Sequence, residues 1–192
     1  MKKLELASLL NIIEYEKVRD EYRKDIILYK MNRRIALGPN VTVVFENERT
    51  LSFQIQEIMR AERLVHDEQI LEEIEVYNSI MPPVNGLSAT LFIEITDENK
   101  IKSILNDFIG LTDGDYLYFD IGGDKVYAKF EQGREEEDKI SSVHYVQFFF
   151  DKNQKTKFID SSKKVSIVID YKNYIYSEIV KDRMRSSLYK DL

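Results

Sequence analysis

Between residues 11 and 34 the apolar positions Ile12, Ile13, Val18, Tyr22, Ile26, Ile27 and Tyr29 recur at helical spacing, with charged residues between them. The spacing predicts a helix that is broken once, with Asp20 capping its second segment. Gly38-Pro39 stops any helix, and the β-branched run at 41–45 predicts a strand. Helix formers fill residues 51–64, and Asp67 is placed to cap a further helix. On that helix Ile70, Leu71, Ile74, Tyr77, Ile80 and Met81 form one stripe, and Pro82-Pro83 end it. Two helices meeting near His66 are therefore expected over residues 50–81.

Beyond the prolines the period changes from helical to alternating. Leu87, Ala89, Leu91, Ile93 and Ile95 alternate with Ser88, Thr90, Glu94 and Thr96, the pattern of a half-buried strand with Phe92 as the exception. Asp97 caps a short helix carrying Ile101, Ile104, Leu105 and Phe108, and Gly110 is placed to end it. Strands at 116–121 and 126–130 flank Gly122-Gly123, a two-residue hairpin signal. Residues 133–139 read as a charged, exposed loop. The run at 143–150 is apolar on both faces and predicts an inner strand. Val165, Ile167, Ile169 and Tyr171 mark another alternating strand, and Val180, Met184 and Leu188 a C-terminal helix.

Helices thus dominate residues 1–82 and strands 83–192. Segregated elements argue for an α+β fold: a helical N-terminal part with one short strand, packed on a mainly antiparallel sheet with a C-terminal helix. The connection at 82–86 is too short to let the halves move freely, so one compact domain over residues 1–192 is expected.

Composition narrows the chemistry. The chain has 192 residues and no cysteine, which excludes disulfides, thiolate metal sites, protein-held iron–sulfur clusters and a cysteine nucleophile. A net charge of −6 argues against nucleic acid as a partner. No run approaches the roughly 18 apolar residues of a membrane span. The opening Met1-Lys2-Lys3-Leu4-Glu5-Leu6 is not followed by a clean apolar core or cleavage site, so a cytoplasmic address is expected.

No phosphate-cradling glycine loop, nucleophile elbow or zincin motif is present. Three constellations remain. Glu62 and His66 are four residues apart, the start of a metal site if one helix carries both, or else a surface ion pair. His144 shares a strand face with Val146, Phe148 and Phe150, as a hydrogen-bonded core histidine or as a buried ligand. Gln56, Glu57, Arg60 and Arg63 crowd one side of the helix at 51–64, which either meets solvent or lines a groove for carboxylate or phosphate.

That helix also carries a likeness. Arg34 with ALGPNVTVVFEN at 36–47, QIQEIMRAER at 54–63, IEVYNSIMP at 74–82, ATLFIEI at 89–95, SSVHYVQFFF at 141–150 and the terminal YKDL resemble the prokaryotic family catalogued as domain of unknown function 3501. The likeness spans nearly the whole chain and is densest over 34–63. Polar positions matching the pattern include Gln56, Glu57, Arg60, Glu62, Arg63, Tyr77, Asn78 and His144, which makes Tyr77 and Asn78 further candidates for binding. The resemblance assigns no catalytic residue and no cofactor. It implies genes placed near rubrerythrin and near cysteine-rich iron–sulfur oxidoreductases, hence a role in peroxide or oxygen defence or in electron transfer. Two functions follow: an accessory protein that docks on such a redox enzyme, or a metal-, haem- or anion-binding enzyme or sensor built on the Gln/Glu/Arg helix and His144. Convergence of Gln56, Glu57, Arg60 and His144 into one pocket separates them.

Overall fold

The computed structural model describes residues 3–131 and 140–192; the charged loop expected at 133–139 lies outside the described residues. Among the described residues eight strands form one antiparallel sheet. They are β1 (Arg34–Leu37), β2 (Val41–Glu46), β3 (Gly86–Ile93), β4 (Leu117–Ile121), β5 (Asp124–Phe130), β6 (Val143–Phe149), β7 (Val165–Tyr171) and β8 (Tyr174–Ile179). Their order is β1-β2-β3-β6-β5-β4-β7-β8.

The sheet curls until its two halves face each other. Phe45 of β2 and Phe119 of β4 lie four strands apart in that order, yet their ring centroids are 5.6 Å apart. Flat strands spaced by about 4.8 Å would hold them roughly 19 Å apart. Phe148 of β6 completes the cluster, 4.8 Å from Phe119. The alternating residues Leu87, Leu91, Ile167 and Ile169 fill this interior as predicted, joined by Val43 and Val126. Each such side chain contributes on the order of 1.5–3 kcal/mol by leaving water.

Three helices lie on the outer face of β2, β3 and β6: α1 (Ile12–Met31), α2 (Glu48–Glu62) and α3 (Asp67–Ser79). They form a second cluster from Leu4, Leu51, Ile55, Met59, Ile70, Ile74 and Tyr77, against which Tyr145 packs. This cover explains why β3 is buried on both faces rather than half-buried. Its outward Ser88 and Thr90 are satisfied there, Ser88 donating to the Ile80 carbonyl at 2.6 Å and Thr90 to Glu46 at 3.1 Å.

The short helices α4 (Ile101–Asp107), α5 (Lys152–Ile159) and α6 (Asp182–Tyr189) complete the fold. The mixed α+β character, the antiparallel sheet and the C-terminal helix are as the sequence predicts. Gly122 and Gly123 make the β4–β5 turn, both at positive φ.

Several details differ. The helix expected to break near Asp20 is continuous from Ile12 to Met31, capped by the Asn11 side chain. Bonds to α2 splint it on both sides of Asp20, through Arg19–Glu57 before it and Asp25–Arg49 after it. The N-terminal part holds two strands, because four residues after α1 pair with β2. Helix α5 was not expected; Asp151 and Gln154 form its capping box. Val180 precedes α6 instead of lying in it, its amide bonding the Val165 carbonyl at 2.9 Å. Asp67 is the first residue of α3 and His66 the cap position.

Candidate functional site

The polar residues of α2 serve the scaffold. Gln56 clamps the backbone of Leu10 from both sides, accepting from its N–H at 2.7 Å and donating to its carbonyl at 2.9 Å. Asn78 holds Leu4 in the same way, at 2.9 and 3.0 Å. Two side-chain amides thus pin the N-terminal segment across α2 and α3. Glu57 accepts from the Tyr15 hydroxyl at 2.7 Å and from two Arg19 nitrogens, each at 2.8 Å. Arg19 and then Tyr15 hold the Glu57 carboxyl below the usual carboxylate range. Arg60 reaches across to Glu16 of α1 at 2.6 and 3.3 Å. Arg63 ends α2 in the left-handed conformation, φ 57°, with its side chain exposed.

That left-handed residue undoes the geometry expected of Glu62 and His66. The helix stops at Glu62, so His66 is not one turn further along it; both side chains are exposed at the junction of α2 and α3. Among the described residues no group of three or more histidine and acidic side chains is placed to hold a metal ion. Tyr77 is buried under α3, and burial pushes its hydroxyl up to about 12.

His144 sits in β6, an inner strand, 2% exposed, with Nε2 2.7 Å from the Ser141 carbonyl. A carbonyl only accepts, so Nε2 carries the proton in this bond. Its parity is that of Val146 and Phe148, on the interior face of the sheet. Gln56, Glu57 and Arg60 stand on the opposite, helical side. The four residues therefore do not converge in one pocket.

Two arginines outside the predicted set, Arg33 and Arg185, tie distant backbone segments together. Arg33 is fully buried and donates to the Phe45 carbonyl at 2.9 Å, to Ser187 Oγ at 3.1 Å and to the Asp191 carboxylate. Asn47 donates to the same carboxylate at 3.0 Å and to the Tyr29 hydroxyl at 2.8 Å. The terminal YKDL segment is thereby locked against the start of α2. Arg185 of α6 donates to the carbonyls of Lys157, Phe158, Asp160 and Lys163, which are the open C-terminal end of α5 and the turn after it.

What remains open to a partner is the seam where the curled sheet meets itself. Among the described residues β1 pairs only with β2 and β8 only with β7, and no backbone hydrogen bond joins β1 to β8. At one end side chains close the gap. The Tyr174 hydroxyl accepts from the amides of Asn40 and Val41, at 2.9 and 3.0 Å, and donates to the Leu37 carbonyl at 2.6 Å. The Tyr176 ring lies over Gly38, where an added Cβ would come within 2.5 Å of it. At the other end the edges part into a groove of about 630 Å³. Its apolar lining is Met31, Ile35, Ala36, Ile179 and Met184, and its charged residues are of both signs, Arg34, Lys181 and Arg183 against Glu178 and Asp182. Met31 is 68% and Ile179 54% exposed.

The sequence reading missed both edges of this groove. RIAL at 34–37 is too short to carry a period. YIYSEI at 174–179 did carry a signal: Tyr and Ile are strand formers, and Lys172-Asn173 is a two-residue turn, Lys172 at φ 49°.

No curated protein matches the chain. A crystal structure of a protein of unknown function from Burkholderia pseudomallei K96243 is similar over 100% of both chains, with a TM-score of 0.91 and 28% sequence identity. The likeness read from the segments between Arg34 and the terminal YKDL is thus matched by a likeness of the whole fold. The family model described as "Protein of unknown function (DUF3501)" matches residues 3–192, and the chain belongs to that family.

Proposed function

We propose that this protein is an accessory protein that docks on a redox enzyme and performs no chemistry of its own. The observation that carries the reading is the seam between β1 and β8, where exposed Met31 and Ile179 flank a groove and, among the described residues, no backbone hydrogen bond joins the two strand edges. Solvent-exposed edges of this kind promote association unless a partner covers them. The polar groups that a binding pocket would need are spent on the scaffold, as Gln56, Glu57, Asn78 and Arg33 show by their bonds. The class of partner comes from the family resemblance: a rubrerythrin or a cysteine-rich iron–sulfur oxidoreductase.

The test uses the full chain and the purified rubrerythrin and iron–sulfur oxidoreductase of the same cell, measured by titration calorimetry. Saturable binding that Met31→Glu and Ile179→Glu abolish, at an unchanged melting temperature, supports the reading. Failure of the wild-type chain to bind either protein overturns the assigned partner class.

A further inference from the structure

The joint between the helical layer and the sheet carries a reactive pair. Asn85 and Gly86 follow Pro82-Pro83 and lead into β3. Of the ten asparagines in the chain, only Asn85 is followed by glycine. The backbone accounts for both residue types. Asn85 is at φ 58°, the left-handed region that asparagine enters more readily than most side chains. At Gly86 an added Cβ would lie 2.5 Å from the Phe148 carbonyl oxygen and 2.5 Å from Pro83 Cγ. The turn needs this dipeptide for its geometry, and the chemistry of the dipeptide comes with it.

In an Asn-Gly pair the main chain readily attacks the side chain before it, because glycine leaves its own nitrogen unshielded and its backbone free to turn. Two observations favour that attack at this place. Asn85 is exposed and Val84 is 80% exposed, so the turn lies open to water. The Lys155 ammonium of α5 donates to Asn85 Oδ1 at 2.9 Å, and a second bond, to the Leu192 carbonyl, holds it in place. Oδ1 is the atom on which negative charge gathers when the carboxamide carbon is attacked. A cation already bonded to it stabilises the tetrahedral intermediate more than the neutral amide. One contact opposes the attack: the Gly86 N–H donates to the Pro83 carbonyl at 3.0 Å. That bond belongs to a short exposed turn, and such segments open locally without global unfolding.

We propose that Asn85 and Gly86 form a self-modifying site, at which Asn85 deamidates through a succinimide with the Lys155 ammonium as electrophilic aid. The inference is independent of the docking reading above. Gly86 N gives its proton to water and attacks Asn85 Cγ. The electron pair gathered on Oδ1 returns as the bond to Nδ2 breaks, and Nδ2 leaves as ammonia. Water then opens the ring. Attack at Cγ leaves an aspartate at position 85. Attack at the main-chain carbonyl leaves an isoaspartate, whose main chain is longer by one methylene. The net change is carboxamide plus water to carboxylate plus ammonium, with water the sole co-reactant. The aspartate product turns the bond to Lys155 into an ion pair at the joint. The isoaspartate product displaces the Asn85 carbonyl, which accepts from the Phe150 N–H at 2.9 Å and ties the turn to the end of β6.

The test is peptide mapping by mass spectrometry of the full native chain during incubation in neutral buffer, with released ammonia and isoaspartate measured alongside. Conversion is expected at residue 85 ahead of every other asparagine. Lys155→Met slows it about threefold to tenfold, less than the loss of a buried oxyanion donor, because Lys155 is half-buried and screened by solvent. Lys155→Arg keeps the cation and most of the rate. In urea, where Lys155 no longer meets Asn85, the wild-type and Lys155→Met chains convert at equal rates. Three results overturn the proposal. The first is a native chain that keeps Asn85 intact while the unfolded chain loses it. The second is native Lys155→Met converting at the wild-type rate, and the third is conversion spread evenly over the exposed asparagines.

Discussion

Replacing Asp191 by alanine removes the counter-charge of a guanidinium that has no contact with water. Arg33 is fully buried, and its other partners are the Phe45, Glu46 and Ser187 carbonyls and the Ser187 and Tyr29 hydroxyls, all uncharged. Those bonds survive the substitution, but the charge is left uncompensated in a low-dielectric site, which costs about 3–5 kcal/mol. Asn47 also loses its acceptor, about 1 kcal/mol more. For a chain of 192 residues each kcal/mol moves the melting temperature by about 2–4 °C, so a fall of roughly 8–24 °C is expected. Differential scanning calorimetry reads it directly. The control is the double substitution Arg33→Met/Asp191→Leu, which removes both charges and fills similar volume; it is expected to recover most of the loss, since buried pairs are often replaceable by apolar groups at little cost. Asp191→Ala melting within about 2 °C of wild type would refute the argument. A double variant no better than the single one would place the cost in lost packing, not in stranded charge.

Tyr174→Phe leaves the Leu37 carbonyl and the Asn40 and Val41 amides without their shared partner, for a cost of about 1–3 kcal/mol and faster exchange of those amides, read by urea midpoint and hydrogen exchange. Gln56→Ala combined with Asn78→Ala frees the segment at Leu4–Leu10, so limited proteolysis should cut within it while the helical circular dichroism is retained. Acid lability should track Glu57: its folded pKa lies below the unfolded value, so its stabilisation is present above that value and is lost as pH falls through the folded one, and Glu57→Gln should flatten this limb in urea midpoints taken from neutral pH into acid. Tyr77 has the opposite sign, its stabilisation intact below the ordinary pKa of 10 and lost as pH rises toward about 12, a loss that Tyr77→Phe removes from alkaline unfolding curves. The chain is also expected to unfold in one calorimetric transition, because β2 from the helix-rich part is an inner strand of the sheet; two resolved transitions would contradict this.

The sequence by itself determined which face of most elements is apolar, though not of α1, where Ile13, Val18 and Ile27 of the expected stripe are exposed and Tyr15 and Ile26 are buried. Alternation at 87–93 and 165–171 placed the interior of the sheet, the glycine pair placed the β4–β5 turn, and Ile70, Ile74, Tyr77 and Ile80 of the predicted stripe placed the buried side of α3, with Leu71 exposed. Such patterns are local, written within two turns of helix or six residues of strand, and need no knowledge of the partner element. Only the tertiary structure decided what the polar residues are for. Gln56 meets Leu10 across 46 positions, Asn78 meets Leu4 across 74, and Arg33 meets Asp191 across 158. Side-chain type says that Arg60 could fix an oriented ion pair or cap carbonyls, but not that Arg60 does the first on an exposed surface while Arg185 does the second in the interior. The groove is the extreme case. Its two walls are 134 or more residues apart at the Tyr174 clasp with Asn40, and they become neighbours only because the sheet curls through eight strands. Curling is a property of how twisted strands pack their faces together, and no single strand carries it.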